Sequence, residues 1–201
     1  MNPAIVVFDL GNVLVRWDRR LLYEQVIEDP VVLDWFLDHV LTLDENAVLD
    51  RGTPLADMTA DLARRHPDHA ELIGLFGDRW IETIGGVIDG TLALLRELVA
   101  RDRRCYALSN WGADTFDQVV DRFPWFELFD GLVISGREGV VKPDPEIFRV
   151  LCARYRFEPA EALFVDDSVA NIAAADRLGF ATVLFESPER LRRELVALGL
   201  L

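Results

Sequence analysis

"VVFDLGNVLVRWD", residues 6–18, opens with three apolar residues that run straight into an aspartate. An acid at the end of an apolar strand is costly to bury unless something there uses it. Gly11 follows two residues later, where a second carboxylate would make a pair of acids, and Asp18 closes the stretch. The pattern predicts a buried strand that ends in a reactive or capping group. The rest of the chain has to decide which.

The 201 residues are 51% hydrophobic and 28% charged, enough for one packed domain or a domain with an inserted subdomain. Thirty-five Asp and Glu against 21 Lys and Arg give a formal charge of −14, which repels a phosphate backbone. No basic patch with interleaved aromatics offsets this, so no nucleic acid partner is expected. No apolar run reaches membrane-spanning length. The opening MNPAIVVFD lacks the basic stretch and cleavage site of a signal peptide. Cys105 and Cys152, the two cysteines, sit inside apolar segments and do not suggest a disulfide framework. The expectation is a cytoplasmic protein with no membrane partner.

Five short runs rich in Val, Ile, Leu and Phe read as buried strands: 4–8, 105–109, 131–135, 162–166 and 181–185. Helical periodicity covers 89–101, 112–122, 144–156, 168–178 and 188–198. This alternation predicts the α/β class, a Rossmann-like parallel sheet covered by helices on both faces. Residues 16–85 carry helical periodicity over a stretch far longer than a simple crossover. They are expected to form a helical cap inserted after the first strand, with hinges near Arg16 and Gly85. Residues 1–15 and 86–201 would then form the core.

In an open parallel sheet, ligands bind outside the carboxyl ends of the strands. Those ends carry Asp9, then Ser109 and Asn110, then Asp166 and Asp167, with Lys142 in the loop GREGVVKPDPEIF. Three carboxylates, a hydroxyl and a lysine therefore converge on one edge. Mg²⁺ needs oxygen ligands, and one or two carboxylates usually suffice. Asp9 and Asp167, with Asp166 beside them and a backbone carbonyl near Gly11, are the candidate ligands. A metal there would allow Asp9 to attack phosphorus and form an aspartyl-phosphate. Ser109 and nearby backbone N–H groups suit the phosphoryl oxygens, and Lys142 adds positive charge. Asn110 serves as loop support and as a candidate substrate contact.

"FDLGN", "LSN", "KPDPEIF" and "FVDDSVANI" together resemble the four motifs of the haloacid dehalogenase (HAD) superfamily, in the branch with a helical cap after the first motif. The resemblance implies Asp9 as nucleophile, Ser109 and Lys142 as phosphate binders, and Asp166 and Asp167 as metal-site acids, with Asp167 the first choice as direct ligand. The "DLGNV" pattern resembles small capped sugar-phosphate phosphatases. A Mg²⁺-dependent phosphatase for a small phosphorylated metabolite is the function implied. A 2-haloacid dehalogenase shares the fold, but it needs no metal, and two extra acids would raise the pKa of Asp9 unless a cation compensated. A non-catalytic HAD-like binding protein is supported only by Gly11. That glycine departs from the phosphatase pattern, in which Asp two residues after the nucleophile serves as general acid and base. Another acid, water, or a substrate with a good leaving group could fill the gap. Asp18 either leans over the pocket as that acid or caps the helix expected at 19–28.

Among the remaining residues, Trp111 is the tryptophan placed beside the site, while Trp17, Trp35, Trp80 and Trp125 are expected in core or cap packing. Glu45 and Arg51, in the cap segment LDENAVLDRG, are candidate substrate contacts. His66 and His69 read as a helix end followed by a helix start, not as metal ligands.

Overall fold

The computed structural model describes residues 3–201; residues 1 and 2, where the expected core segment 1–15 begins, lie outside the described residues. In chain order the strands are β1 (Ile5–Phe8), β2 (Val15–Trp17), β3 (Ile84–Val87), β4 (Arg104–Ser109), β5 (Gly131–Ile134), β6 (Ala162–Asp166) and β7 (Ala181–Leu184). The helices are α1 (Arg20–Tyr23), α2 (Pro30–His39), α3 (Leu43–Asp50), α4 (Leu55–Arg65), α5 (Ala70–Arg79) and α6 (Asp89–Val99). They continue as α7 (Ala113–Val120), α8 (Ser135–Glu138), α9 (Pro145–Tyr155), α10 (Val169–Arg177) and α11 (Pro188–Ala197).

Five strands form a parallel sheet in the order β5-β4-β1-β6-β7. Its central strand, β1, is fully buried at all four positions. Side chains alternate between faces, as a period of two requires. Val6, Phe8, Ala107 and Val165 point to one core, which α6 and α11 cover with Leu92, Leu95, Leu191 and Leu195. Ile5, Val7, Leu108 and Phe164 point to the other, covered by Ile147, Phe148 and Leu151 of α9 and Ala175 of α10. Helices on both faces explain why these strands read as continuous apolar runs.

Register sets up the carboxyl edge. Phe8 pairs with Ala107 on one side and Val165 on the other, so the next residue, Asp9, stands level with Leu108 and Asp166. The Asp9 N–H continues the ladder to the Val165 carbonyl at 2.8 Å. The chain then turns sharply: the Leu10 carbonyl accepts the N–H groups of Leu14 at 2.8 Å and Val15 at 2.9 Å. Asn12 takes the left-handed conformation (φ 54°), which asparagine tolerates better than most residues, and its Oδ1 accepts the Trp17 N–H at 3.0 Å.

The stretch between the first two sheet strands is helical, as the periodicity predicts, but it leaves the core through structure that the sequence did not suggest. β2 and β3 pair antiparallel as a short two-stranded ribbon. Arg16 and Gly85, the expected hinge positions, lie within these strands and not in loops. A Cβ on Gly85 would sit 3.1 Å from Cβ of Arg16 and 3.0 Å from the Leu21 side chain, a tight fit that glycine avoids. α1 to α5 follow β2, and their apolar side chains, including Leu33, Phe36, Leu62 and Phe76, join the same core as α6 and α11. No helix among the described residues is long and apolar enough to cross a membrane.

Candidate active site

Asp9, Ser109, Lys142 and Asp166 are all buried at the carboxyl edge, 8%, 1%, 3% and 0% exposed. Oδ1 of Asp9 accepts three donors: the Leu10 N–H at 2.7 Å, the Ser109 hydroxyl at 2.9 Å and the Lys142 ammonium at 2.9 Å. No hydrogen bond or ion pair among the described residues uses Oδ2. One oxygen is thus fixed and its twin is unengaged.

Lys142 reaches this point from the loop before α9. Its backbone is held by Asn110, whose side chain accepts the Lys142 N–H at 2.8 Å and donates to the Lys142 carbonyl at 2.9 Å. Asn110 is therefore loop support, and it also borders the cavity described below. The ammonium donates to the Leu108 carbonyl at 2.8 Å and to Asp166 Oδ2 at 2.7 Å. Asp166 is further engaged by the Ser168 N–H at 2.8 Å and by the Asn171 amide at 3.0 and 3.1 Å. Both its oxygens are occupied, which makes it the anchor of Lys142. Asn171 was not singled out in the sequence, although its position one turn into the helix after "FVDD" is a usable signal.

Burial pushes the Asp9 carboxyl up to about 7; Lys142 pulls against that rise, while Asp166 and Asp167 add to it. Burial also disfavours the Lys142 charge, but Asp9 and Asp166 outweigh it and hold the ammonium above its ordinary range. Asp167, more exposed, is raised by burial and by Asp166. One oxygen from each of Asp9, Asp166 and Asp167 lies within 4.8 Å of the others. Three carboxylates share one ammonium, and a divalent cation with a preference for oxygen would offset the excess negative charge. The donor set fits Mg²⁺. His66 and His69 are not part of this group, which is the only such cluster among the described residues.

A cavity of about 100 Å³ opens beside these groups, lined among others by Gly11, Trp17, Asn46, Asp50, Trp80 and Trp111. Trp111 is where the sequence placed it. Trp17 and Trp80, expected in packing, also face this space, and the Trp80 and Trp111 rings stand 6.2 Å apart. Their indole N–H groups are buried and have no hydrogen-bond partner among the described residues. Glu45 and Arg51 do not line the cavity. Glu45 pairs with Arg65 at 2.6 Å, and Arg51 donates to the Ala47 carbonyl of its own helix at 3.2 Å. Asn46, Leu49 and Asp50, at i, i+3 and i+4, form the face of α3 that borders the cavity instead. Asp18 is exposed and outside the lining; its carboxylate accepts the Arg20 N–H at 2.8 Å, but the helix expected at 19–28 is only Arg20–Tyr23, and Arg19, not Asp18, stands at its N-cap. A larger groove of about 620 Å³, bordered by Phe148, Phe157 and Phe180, lies at the amino ends of β6 and β7, away from the acids.

The haloacid dehalogenase-like hydrolase family model matches residues 3–179. The chain belongs to that family. This HAD-like hydrolase is 37% identical over 209 residues to D-ribitol-5-phosphate phosphatase of Bacteroides thetaiotaomicron, covering 96% of this chain and 97% of that one. Its fold matches a predicted HAD-like family hydrolase from Porphyromonas gingivalis with a TM-score of 0.73 at 24% identity, covering 98% of both chains. It also matches a HAD family enzyme of Bacteroides thetaiotaomicron, solved in complex with magnesium and inorganic phosphate. That TM-score is 0.65 at 22% identity, over 90% of this chain and 93% of the other. The chain spans less than half the length of other curated relatives that it matches.

Proposed function

We propose that this hydrolase is a Mg²⁺-dependent phosphatase that cleaves a small phosphorylated metabolite through an aspartyl-phosphate on Asp9. The observation that carries the reading is the Asp9 carboxylate, pinned through Oδ1 by Leu10, Ser109 and Lys142 with Oδ2 unengaged. A nucleophile needs this arrangement: fixed orientation, a partner charge, and one free lone-pair-bearing atom. The phosphatase relative aligned along nearly the whole chain supports the same chemistry.

Asp9 and Asp167 would hold the ion, with Asp166 beside them and the Gly11 carbonyl as a further oxygen. When bound, Mg²⁺ supplies charge neutralisation between the Asp9 carboxylate and the phosphoryl group. Lys142 keeps Asp9 oriented and ionised, and with Ser109 it offers donors to phosphoryl oxygens as charge spreads over them. Residues 16–85 act as a cap over the core of 1–15 and 86–201. Trp17, Asn46, Leu49, Asp50 and Trp80 come from that cap, so it builds half of the cavity wall. A cavity of about 100 Å³ suits a small leaving group and excludes polymers.

The test is a panel of pentitol, sugar and aryl phosphates assayed with Mg²⁺ and again after chelation, using wild type and Asp9→Asn. Phosphate release that needs Mg²⁺ and vanishes in Asp9→Asn is expected. Turnover that survives chelation, or chloride release from 2-chloropropionate in place of phosphate release, contradicts the reading.

A further inference from the structure

Gly11 leaves the site without a proton donor next to the nucleophile, and the exposed Asp18 carboxylate is engaged by the Arg20 N–H. The cavity wall contains one other carboxyl. Asp50, the last residue of α3, shares the lining with Gly11, Asn110 and Trp111. No hydrogen bond or ion pair among the described residues engages its side chain.

The backbone around Asp50 is fixed against the core with unusual closeness. The Asp50 carbonyl accepts the Ser135 hydroxyl at 2.6 Å, and the same oxygen of Ser135 accepts the Trp111 N–H at 3.0 Å. One residue beyond Arg51, Gly52 has φ 101° and passes so near α8 that a Cβ would lie 2.8 Å from the Gly136 carbonyl oxygen. On the other side, a Cβ on Gly112 would lie 3.3 Å from the Leu49 carbonyl oxygen. These contacts register the end of α3 against the loop after β4, next to Ser109, and against α8, which leads into the loop that carries Lys142. A carboxyl with no protein partner, carried by backbone held this firmly and sharing a cavity wall with Gly11 and Asn110, is placed to meet a ligand.

We propose that Asp50 is the acid–base residue of this site, supplying from the inserted helices the proton that Gly11 cannot. The inference rests on the phosphatase reading above. In the first half-reaction a bond forms between Asp9 and phosphorus while the phosphorus–oxygen bond to the leaving group breaks. The electron pair of that bond stays on the departing oxygen, and Asp50 passes its proton to it, so a neutral alcohol leaves. In the second half-reaction Asp50, now a carboxylate, takes a proton from water as the water oxygen bonds to phosphorus. The bond between phosphorus and Asp9 breaks, inorganic phosphate leaves, and Asp50 is again protonated. The proton balance closes over one turnover with water as the only co-reactant.

Its environment suits the task. Burial pushes the Asp50 carboxyl up to about 6, against the opposing pull of the two cations that act on it, Lys142 and Arg51. At neutral pH roughly one molecule in ten then carries the proton, compared with roughly one in a thousand for an ordinary aspartate.

The experiment is kcat/KM, which reports the step that breaks the leaving-group bond, for a series running from dinitrophenyl through phenyl to primary alkyl phosphates. Wild type, Asp50→Asn and Asp50→Glu are compared at fixed Mg²⁺. The expected result is a loss of ~10²–10⁴-fold on alkyl phosphates in Asp50→Asn. The loss should shrink toward none on dinitrophenyl phosphate, whose leaving group needs no proton, and Asp50→Glu should recover part of it. Retained turnover of dinitrophenyl phosphate also shows that the variant is folded. A loss that is uniform across the series, or no loss at all, overturns the role of Asp50 and leaves the phosphatase reading standing. Wild type inert toward every member of the series removes both.

Discussion

Replacing Lys142 by methionine should turn a partly balanced buried site into an unbalanced one. The lysine side chain is fully buried, 2.9 Å from Asp9 and 2.7 Å from Asp166, and it donates to the Leu108 carbonyl at 2.8 Å. Methionine keeps most of the length and the apolar stem and removes the charge together with its N–H donors. Breaking a buried pair by deleting one partner costs about 3–5 kcal/mol. Here two carboxylates lose the same partner, which favours the upper end of that range. At about 2–4 °C per kcal/mol for a chain of this size, the metal-free variant should melt roughly 10–20 °C below wild type. The pH dependence has a definite sign. Burial already raises Asp9 to about 7 and Lys142 opposes that rise, so the variant's Asp9 goes higher still. A carboxyl whose folded pKa exceeds its unfolded value adds stability below the unfolded pKa, about 3.9, and loses it as pH rises through the folded one. The deficit should therefore be smallest near pH 4 and widest above pH 7. Calorimetric melts of both proteins across that range, in chelator and then in Mg²⁺, check this, with Mg²⁺ expected to recover part of the deficit. A variant as stable as wild type throughout, or a deficit that narrows as pH rises, would refute the electrostatic reasoning.

Three further perturbations follow from the same geometry. Mg²⁺ at ~100 times its Kd should stabilise the wild type by about 2.7 kcal/mol, roughly 5–10 °C in Tm, and Asp167→Asn should abolish most of that shift; equal shifts in the two proteins would remove Asp167 from the ligand set. Ser135→Ala leaves the Asp50 carbonyl and the Trp111 N–H without their shared partner, so urea melts should show a loss of about 1–3 kcal/mol, and unchanged stability would contradict it. A Cβ at Gly11 meets nothing within 4 Å and the backbone there is not left-handed, so Gly11→Asp should fold with stability within about 1 kcal/mol of wild type. Introduced into Asp50→Asn, the same change should recover part of the lost turnover of alkyl phosphates, and no recovery would mean that a carboxyl at 11 cannot reach the leaving oxygen.

The core was legible because burial on both faces writes strands as unbroken apolar runs. The expected 4–8 and 162–166 appear as Ile5–Phe8 and Ala162–Asp166, and the helices α6, α7, α9, α10 and α11 fall within their predicted spans. Strand ends are equally readable, since a buried Asp9 or Asp166 interrupts an apolar run conspicuously. The β2–β3 ribbon was not legible: its strands are three and four residues long, and one contains Gly85 and Gly86. In α3 the sequence showed acids and a cation but not their phase. Glu45 and Arg51 stood out as charged residues, whereas helix rotation brings Asn46 and Asp50 to the cavity. That choice depends on the contacts at Ser135 and Gly136, which lie far away in the chain. Asp18 illustrates the same limit, because only three-dimensional placement separates an acid that accepts a neighbouring N–H from a catalytic one.

The most direct test of Asp9 as nucleophile is to quench wild-type protein during turnover of a good phosphate substrate with Mg²⁺, trap the acyl phosphate chemically, and map the modified peptide by mass spectrometry. The modification should fall on Asp9 alone and be absent from Asp9→Asn. A phosphoryl group on any other residue, or undiminished turnover by Asp9→Asn, would contradict the mechanism.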